Sequence, residues 1–134
     1  MDGRAQRLVI VADDDDAIRL LCRVNLELEG YRVREATGLD EISRIADEEE
    51  EVALVILDIH LGREDGIEVA RAVRERRPEV PIAFLSGSVD FGERSAAVSD
   101  AAIRKPFTLE ELIGTVDRLA GGSAPPPPAG PPSP

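Results

Sequence analysis

Short apolar runs alternate with helical patterns five times along this chain, and this alternation limits the fold more than any other feature. The clearest runs are residues 8–12, 52–57 and 82–85. Each is apolar at consecutive positions and rich in β-branched or large apolar residues, which is typical of strands covered on both faces. Arg32–Ala36 alternates in polarity and predicts a half-exposed edge strand, and residues 101–103 predict a shorter fifth strand.

Amphipathic segments fill the intervals between these strands. Residues 17–29 repeat apolar side chains at helical spacing, and Gly30 follows where a left-handed C-terminal cap is expected. The inward positions predicted for this helix are Ile18, Leu21, Cys22 and Leu26. Further helices are predicted to begin at caps formed by Thr37, Asp65 and Thr108. Residues 90–99 give the weakest helical pattern.

Strands and helices that alternate in this way form parallel sheets, because each helix returns the chain to the same end of the sheet. The predicted fold class is α/β, a flavodoxin-like open sheet of five parallel strands in the order 2-1-3-4-5, with helices on both faces. Residues 1–120 are long enough for one domain with its own core. Residues 121–134 carry no charge and hold seven of the ten prolines, which predicts a proline-rich disordered tail or linker.

Composition excludes several classes of protein. The formal net charge is −11, so direct binding to nucleic acid is not expected. The longest apolar run, 52–57, is too short to span a membrane, and the first residues lack the apolar core of a signal peptide. The single cysteine, Cys22, cannot form an intrachain disulfide and indicates a reducing compartment. We therefore expect a cytoplasmic protein without membrane contact.

Five polar side chains come directly after predicted strands. Asp13 and Asp14 follow the first strand, Asp58 the third, Ser86 the fourth and Lys105 the fifth. Ligands of open parallel sheets bind beyond the carboxyl ends of the strands, so these groups are predicted to meet at one edge. Three clustered carboxylates would either raise a pKa sharply or need a cation, and all-oxygen ligands favour Mg²⁺. With a lysine and a hydroxyl, the cluster predicts a site for a tetrahedral dianion and a nucleophilic carboxylate.

Four motifs at these strand ends resemble the receiver domain of bacterial two-component response regulators, of the chemotaxis type with a single domain. They are residues 9–14 (VIVADD), 57–66 (LDIHLGREDG), 85–87 (LSG) and 105–107 (KPF). Each motif is common alone, but the four occur in the family's order over about residues 7–120. The resemblance implies a phosphorylation-dependent switch in a two-component phosphorelay.

The resemblance also implies a role for each site residue. Asp58 would accept a phosphoryl group from a sensor histidine kinase or a phosphotransfer protein. Asp14, Asp58 and the backbone carbonyl of His60 would bind Mg²⁺ directly, and Asp13 would bind it through water. Ser86 and Lys105 would each contact a phosphoryl oxygen. The further implications are a cis Lys105–Pro106 bond, a helix that begins at Gly66, and contact of Leu20 and Val24 with the kinase.

Two positions depart from the usual pattern of this family. Gly62 stands where proline is usual, which predicts a more mobile loop. Ala102 stands where tyrosine or phenylalanine is usual, so the aromatic rotamer switch of many members cannot operate. The chemistry is therefore expected to be complete, while the output to an unknown partner protein is expected to differ.

Two alternatives to the phosphorylation switch stay open. The first is a protein-binding module of the same fold that never uses phosphate, which the small side chain at Ala102 favours. The second is a small Mg²⁺-dependent aspartyl phosphohydrolase, whose Asp-x-Asp arrangement would have to be Asp13 and Asp15 and which would lack a cap domain. We expect a signalling protein rather than an enzyme.

Overall fold

The computed structural model describes residues 7–87 and 92–121. The elements of these residues are, in chain order, β1 (Leu8–Ala12), α1 (Asp16–Leu28), β2 (Arg32–Ala36), α2 (Leu39–Glu48), β3 (Leu54–Asp58), β4 (His60–Leu61), β5 (Glu64–Asp65), α3 (Gly66–Arg76), β6 (Ile82–Ser86), α4 (Glu93–Ala97), β7 (Ala101–Arg104) and α5 (Leu109–Ala120). Apart from Gly121, the predicted tail lies outside the described residues, as does the start of the helical pattern at 90–99.

Five of the strands form one parallel sheet in the order β2-β1-β3-β6-β7. The remaining two, β4 and β5, pair antiparallel as a separate hairpin between β3 and α3. Counted without this hairpin, the order is 2-1-3-4-5, so the predicted flavodoxin-like fold is confirmed. The alternating strand β2 lies at an edge, as its polarity pattern predicts.

The core has two layers because successive strand residues point to opposite faces of the sheet. In β1, Ile10 packs on the side of α2 and α3, while Val9 and Val11 pack on the side of α1 and α5. Every residue of β1, β3 and β6 is buried. The central strands are therefore held on both faces, and their carboxyl ends form a rigid base for the polar residues that follow.

Most helix ends follow the sequence prediction. Asp65 accepts a hydrogen bond from the backbone N–H of Ile67 and caps α3, and Thr108 forms a capping box with Glu111 at the start of α5. Gly30 follows α1 with a φ of 102°. No helix of the described residues combines the length and apolar character that a membrane crossing needs.

Two local predictions were wrong. The cap of α2 is Gly38 rather than Thr37, whose N–H and hydroxyl both donate to Glu41 Oε1. The carboxylate of Glu64 on β5 accepts a hydrogen bond from Leu39 N–H at 2.9 Å and so supplies the missing cap from a distant part of the chain. Leu21 was predicted to face inward, but it is 41% exposed, because it lies at the margin of the buried face of α1.

Candidate functional site

The five predicted polar residues lie at the carboxyl edge of the parallel sheet. Asp13 follows β1 and is fully buried, and Asp58 and Ser86, the last residues of β3 and β6, are buried as well. Asp14 is exposed, and Lys105, just after β7, is partly buried. Because the strands are parallel, their carboxyl ends lie at one edge of the sheet, and residues that are far apart in sequence lie close together there.

Lys105 joins the two buried carboxylates. Its Nζ donates to Asp13 Oδ2 and to Asp58 Oδ2, each at 3.1 Å. Carboxylate oxygens of Asp13, Asp14 and Asp58 lie within 4.8 Å of one another. The structure thus brings four of the five predicted side chains into a single cluster.

Backbone amides fix the orientation of the two buried carboxylates. Asp13 Oδ1 accepts a hydrogen bond from Asp15 N–H at 2.9 Å, and Asp58 Oδ1 accepts one from His60 N–H at 3.0 Å. In each residue one oxygen is bound by the following loop and the other by Lys105. The Oδ2 atoms are therefore presented together at the centre of the cluster.

Burial dominates the electrostatics of Asp13. Together with the negative charge of Asp58, it raises the pKa of this carboxyl to about 6, against the opposing hydrogen bond from Asp15 N–H and the charge of Lys105. Burial also acts to lower the pKa of Lys105, but the charges and hydrogen bonds of Asp13 and Asp58 outweigh it, so that this pKa is raised. Lys105 is consequently a permanent cation at neutral pH.

The cluster suits a hard divalent cation. Three carboxylates converge within reach of one ion and all their donor atoms are oxygen, the ligand type that Mg²⁺ prefers. The net charge of three carboxylates and one ammonium is negative, so a bound cation relieves repulsion that Lys105 offsets only in part. The exposed Asp14 leaves one side open to solvent and to a second ligand.

Ser86 lies at the same edge, where its hydroxyl is held by the following residue. Its hydroxyl donates to the backbone carbonyl of Gly87 at 3.0 Å. Rotation about one side-chain bond frees this hydroxyl for another acceptor. Ser86 can therefore serve as a donor to an anion beside Asp58 only when it leaves the Gly87 carbonyl.

The loop after Asp58 approaches the strand end closely. A Cβ on Gly66 would lie 2.2 Å from the backbone oxygen of Asp58 and 2.5 Å from that of Ile59, so only glycine fits here. Gly66 begins α3, as predicted, and the Lys105–Pro106 peptide bond is cis, as predicted. Gly62, at the turn of the β4–β5 hairpin, has a φ of 63°, a conformation that favours glycine.

Sequence reasoning missed three charged residues around the site. Arg19 on α1 donates to the backbone carbonyl of Asp13 at 2.6 Å. Glu64 ties the hairpin to α2, and Arg94 on α4 pairs with Asp65 at 3.2 Å at the start of α3. A possible signal was Arg19 itself, a cation on the helix that directly follows an acidic run, one turn after Asp16. The contacts of Glu64 and Arg94 depend on tertiary structure, so the local sequence gives no signal for them.

Comparison with known proteins agrees with this geometry. The model of the response regulator receiver domain family matches residues 9–117. Response regulator MprA of Mycobacterium sp. (strain KMS) is 35% identical over 121 residues, which cover 87% of this chain and 52% of that protein. The chain therefore spans about half the length of the curated relatives it matches.

Solved structures show the same architecture. The receiver domain of NtrX from Brucella abortus has a TM-score of 0.78 and 29% identity, and it covers 86% of this chain and 99% of that one. The response regulator TrrA from Thermotoga maritima, solved in complex with Mg²⁺-BeF, has a TM-score of 0.77 and 30% identity, covering 85% and 99%. This chain belongs to the family of response regulator receiver domains.

Proposed function

We propose that this receiver domain is a phosphorylation-controlled switch that takes a phosphoryl group from a sensor histidine kinase onto Asp58 with the help of Mg²⁺. The observation that carries the proposal is the geometry of Asp58, a buried carboxylate whose Oδ2 lies beside Lys105 within an acidic cluster. The known relatives are response regulators, which are signalling proteins rather than enzymes.

The nucleophile is the Asp58 carboxylate. One of its oxygens attacks the phosphorus atom of a phosphohistidine, the P–O bond forms as the P–N bond breaks, and the imidazole leaves with the bonding pair and takes up a proton. His60 N–H, at 3.0 Å from Oδ1, holds the carboxylate while this occurs. The product is an acyl phosphate on Asp58.

The groups around Asp58 would stabilise the negative charge of the phosphoryl group. Asp13, Asp14, Asp58 and the His60 backbone carbonyl are the groups that would hold Mg²⁺, with Asp13 acting through water. Bound there, the ion would supply positive charge for the phosphoryl oxygens. Lys105, already within 3.1 Å of Asp58 Oδ2, offers a second cation, and Ser86 offers a hydroxyl after rotating from Gly87.

Phosphorylation by a small donor tests this proposal directly. Incubation with Mg²⁺ and acetyl phosphate should add the mass of one phosphoryl group to the intact chain, and Asp58→Ala should abolish the addition. Asp40→Ala, which removes an exposed carboxyl outside the acidic cluster, is the matched control and should label normally. Failure of the wild-type chain to label would favour the phosphate-free binding module, and rapid turnover of varied phosphoesters would favour a phosphohydrolase.

The partners follow from the same proposal. The kinase would dock over α1, where Leu20 and Val24 are exposed at 58% and 45%. The output partner is an unknown protein, and phosphorylation would reach it without the usual aromatic readout, because Ala102 has no aromatic ring. We place this exchange in the cytoplasm, in line with the family, and propose that residues 121–134 act as a linker or tail beyond the receiver domain.

A further inference from the structure

Within the described residues, Arg19 is the one arginine of α1 whose side chain reaches the backbone of the acidic loop, residues 13–15. Its Nη1 donates to the carbonyl oxygen of Asp13 at 2.6 Å, and its Nη2 pairs with Asp16. Its Nε donates to Glu35 Oε1 on β2 at 3.0 Å. The side chain is only 12% exposed, and its contacts with Asp13 and Glu35 are partly shielded from water.

The hydrogen bond from Arg19 to the Asp13 carbonyl restrains the backbone of the next residue, Asp14. A peptide unit is planar, so the carbonyl of Asp13, the amide nitrogen of Asp14 and the Cα of Asp14 lie in one plane. Holding the carbonyl oxygen restrains the orientation of this plane, and with it the position of the Asp14 Cα from which the side chain leaves. Within the described residues no hydrogen bond holds the Asp14 carboxylate itself, so its position depends on its backbone.

The remaining hydrogen bonds of Asp13 agree with this role. Its N–H donates to the Ala36 carbonyl at 3.2 Å, and its Oδ1 accepts from Asp15 N–H. With the bond from Arg19, the N–H, the carboxylate and the carbonyl of Asp13 are all hydrogen-bonded. Glu35, on the strand beside β1, anchors the guanidinium in turn.

We propose that Arg19 is a positioning residue of the cation site, which sets the backbone between Asp13 and Asp14 so that the Asp14 carboxylate faces Asp13 and Asp58. The inference rests on the proposed function, since it assumes that these carboxylates hold Mg²⁺. Residues that orient metal ligands without touching the metal typically contribute 10–100-fold to metal affinity. Arg19 acts through a multidentate, planar guanidinium, which lysine cannot replace.

The test is Mg²⁺ affinity, measured by isothermal titration calorimetry on the unphosphorylated chain, with far-ultraviolet circular dichroism to verify folding. Arg19→Gln and Arg19→Lys should each weaken Mg²⁺ binding by about 10-fold or more. Arg23→Gln is the matched control. Arg23 is one turn along the same helix and also binds Glu35, at 3.0 Å, but it does not touch the acidic loop. Its loss should leave the affinity within about twofold.

Each outcome separates this inference from the function on which it rests. Loss of affinity in Arg19→Lys, which keeps the charge, supports positioning by geometry. Wild-type affinity in both Arg19 variants overturns the positioning role and leaves the proposed function standing. Equal loss in Arg19→Gln and Arg23→Gln, with Arg19→Lys unaffected, overturns it in favour of general electrostatics. No Mg²⁺ binding by the wild-type chain overturns both. If Arg19→Gln does not fold, the Mg²⁺ affinities of Arg19→Lys and Glu35→Gln decide whether Arg19 has this positioning role.

Discussion

Asp13 is buried among other charged groups. An ionised carboxylate at this position raises the free energy of the folded state when no cation is bound. Asp58 and Asp14 face it with like charge, and Lys105 is the cation beside it. Its pKa rises from an unfolded value of 3.8 to about 6 in the folded chain, above all because of burial. Between these two pH values Asp13 is protonated in the folded state but ionised in the unfolded state. The free energy of unfolding therefore falls as the pH rises through this range.

Asp13→Asn should remove this cost. In buffer that contains a chelator, we expect the free energy of unfolding of the variant to exceed that of the wild type by about 1–3 kcal/mol above pH 6, since one pKa unit corresponds to about 1.4 kcal/mol. The difference should shrink as the pH falls and vanish below about pH 3, where Asp13 is protonated in both states. Urea unfolding at a series of pH values measures it.

The control for this prediction is Asp40→Asn, an exposed carboxylate in the first turn of α2. Its effect on stability should stay within about 0.5 kcal/mol at all pH values. A gain in Asp13→Asn that is equal at pH 4 and pH 7 would show that packing, not charge, is responsible.

The placement of the clustered residues at one edge could be predicted because they follow apolar runs. Asp13, Asp58 and Ser86 need only the end of a buried strand to place them at the shared edge. The contacts between side chains could not be predicted, because they depend on the exact separation of elements. The bond of Arg19 to the Asp13 carbonyl and the turn of Ser86 toward Gly87 belong to this second kind.

At the scale of elements, α1 carries an exposed apolar row beside the site. Leu20 and Val24 lie on successive turns near the acidic loop, and Leu28, which is 78% exposed, continues the row at the far end. Exposed apolar side chains that are contiguous along a helix are typical of a binding surface. Because α1 begins just after Asp14 and Asp15, a partner seated on the first half of this row would lie next to Asp58.

Charged substitutions in the row should separate kinase recognition from chemistry. Leu20→Glu and Val24→Glu should each slow phosphotransfer from the cognate kinase by about 10-fold or more, the loss expected from burying a charge in an apolar contact. Phosphorylation by acetyl phosphate should stay at the wild-type rate, because neither side chain belongs to the acidic cluster. Both rates can be measured by phosphate-affinity gel electrophoresis.

Leu28→Glu is the matched control for these two variants. It introduces the same charge in the same row, but eight residues beyond Leu20, which is about 12 Å along the helix. Both rates should be unchanged in this variant. Equal loss of both reactions in Leu20→Glu would mean that the substitution damages the site itself rather than a docking surface.

The start of α2 and the width of the buried face of α1 were the least predictable features at this scale. Asp65 and Thr108 cap their own helices, so a local pattern was enough to identify them. The start of α2 differs because its capping carboxylate, Glu64, is 25 positions away in sequence. Leu21 was misplaced for a related reason, since spacing fixes which side of a helix is buried but not how far around the helix the contact extends.

At the scale of the whole molecule, a formal net charge of −11 means that the folded chain repels itself. Any salt relieves part of this repulsion by screening. A cation held by Asp13, Asp14 and Asp58 should act differently, because it binds the folded state at one place where the chain gathers three carboxylates. The two effects can be separated by the identity of the ion and by the residues on which stabilisation depends.

We expect Mg²⁺ to raise the free energy of unfolding beyond the effect of NaCl at equal ionic strength. Linkage predicts a gain of about 2.7 kcal/mol when Mg²⁺ is a hundredfold above its dissociation constant. Asp14→Asn should abolish most of this gain, and it should not disturb the fold, because Asp14 is exposed. Thermal and urea unfolding at matched ionic strength measure both quantities. An equal gain in Asp14→Asn, or an equal gain from NaCl, would assign the stabilisation to screening of the overall charge instead of to a cation held at the end of the sheet.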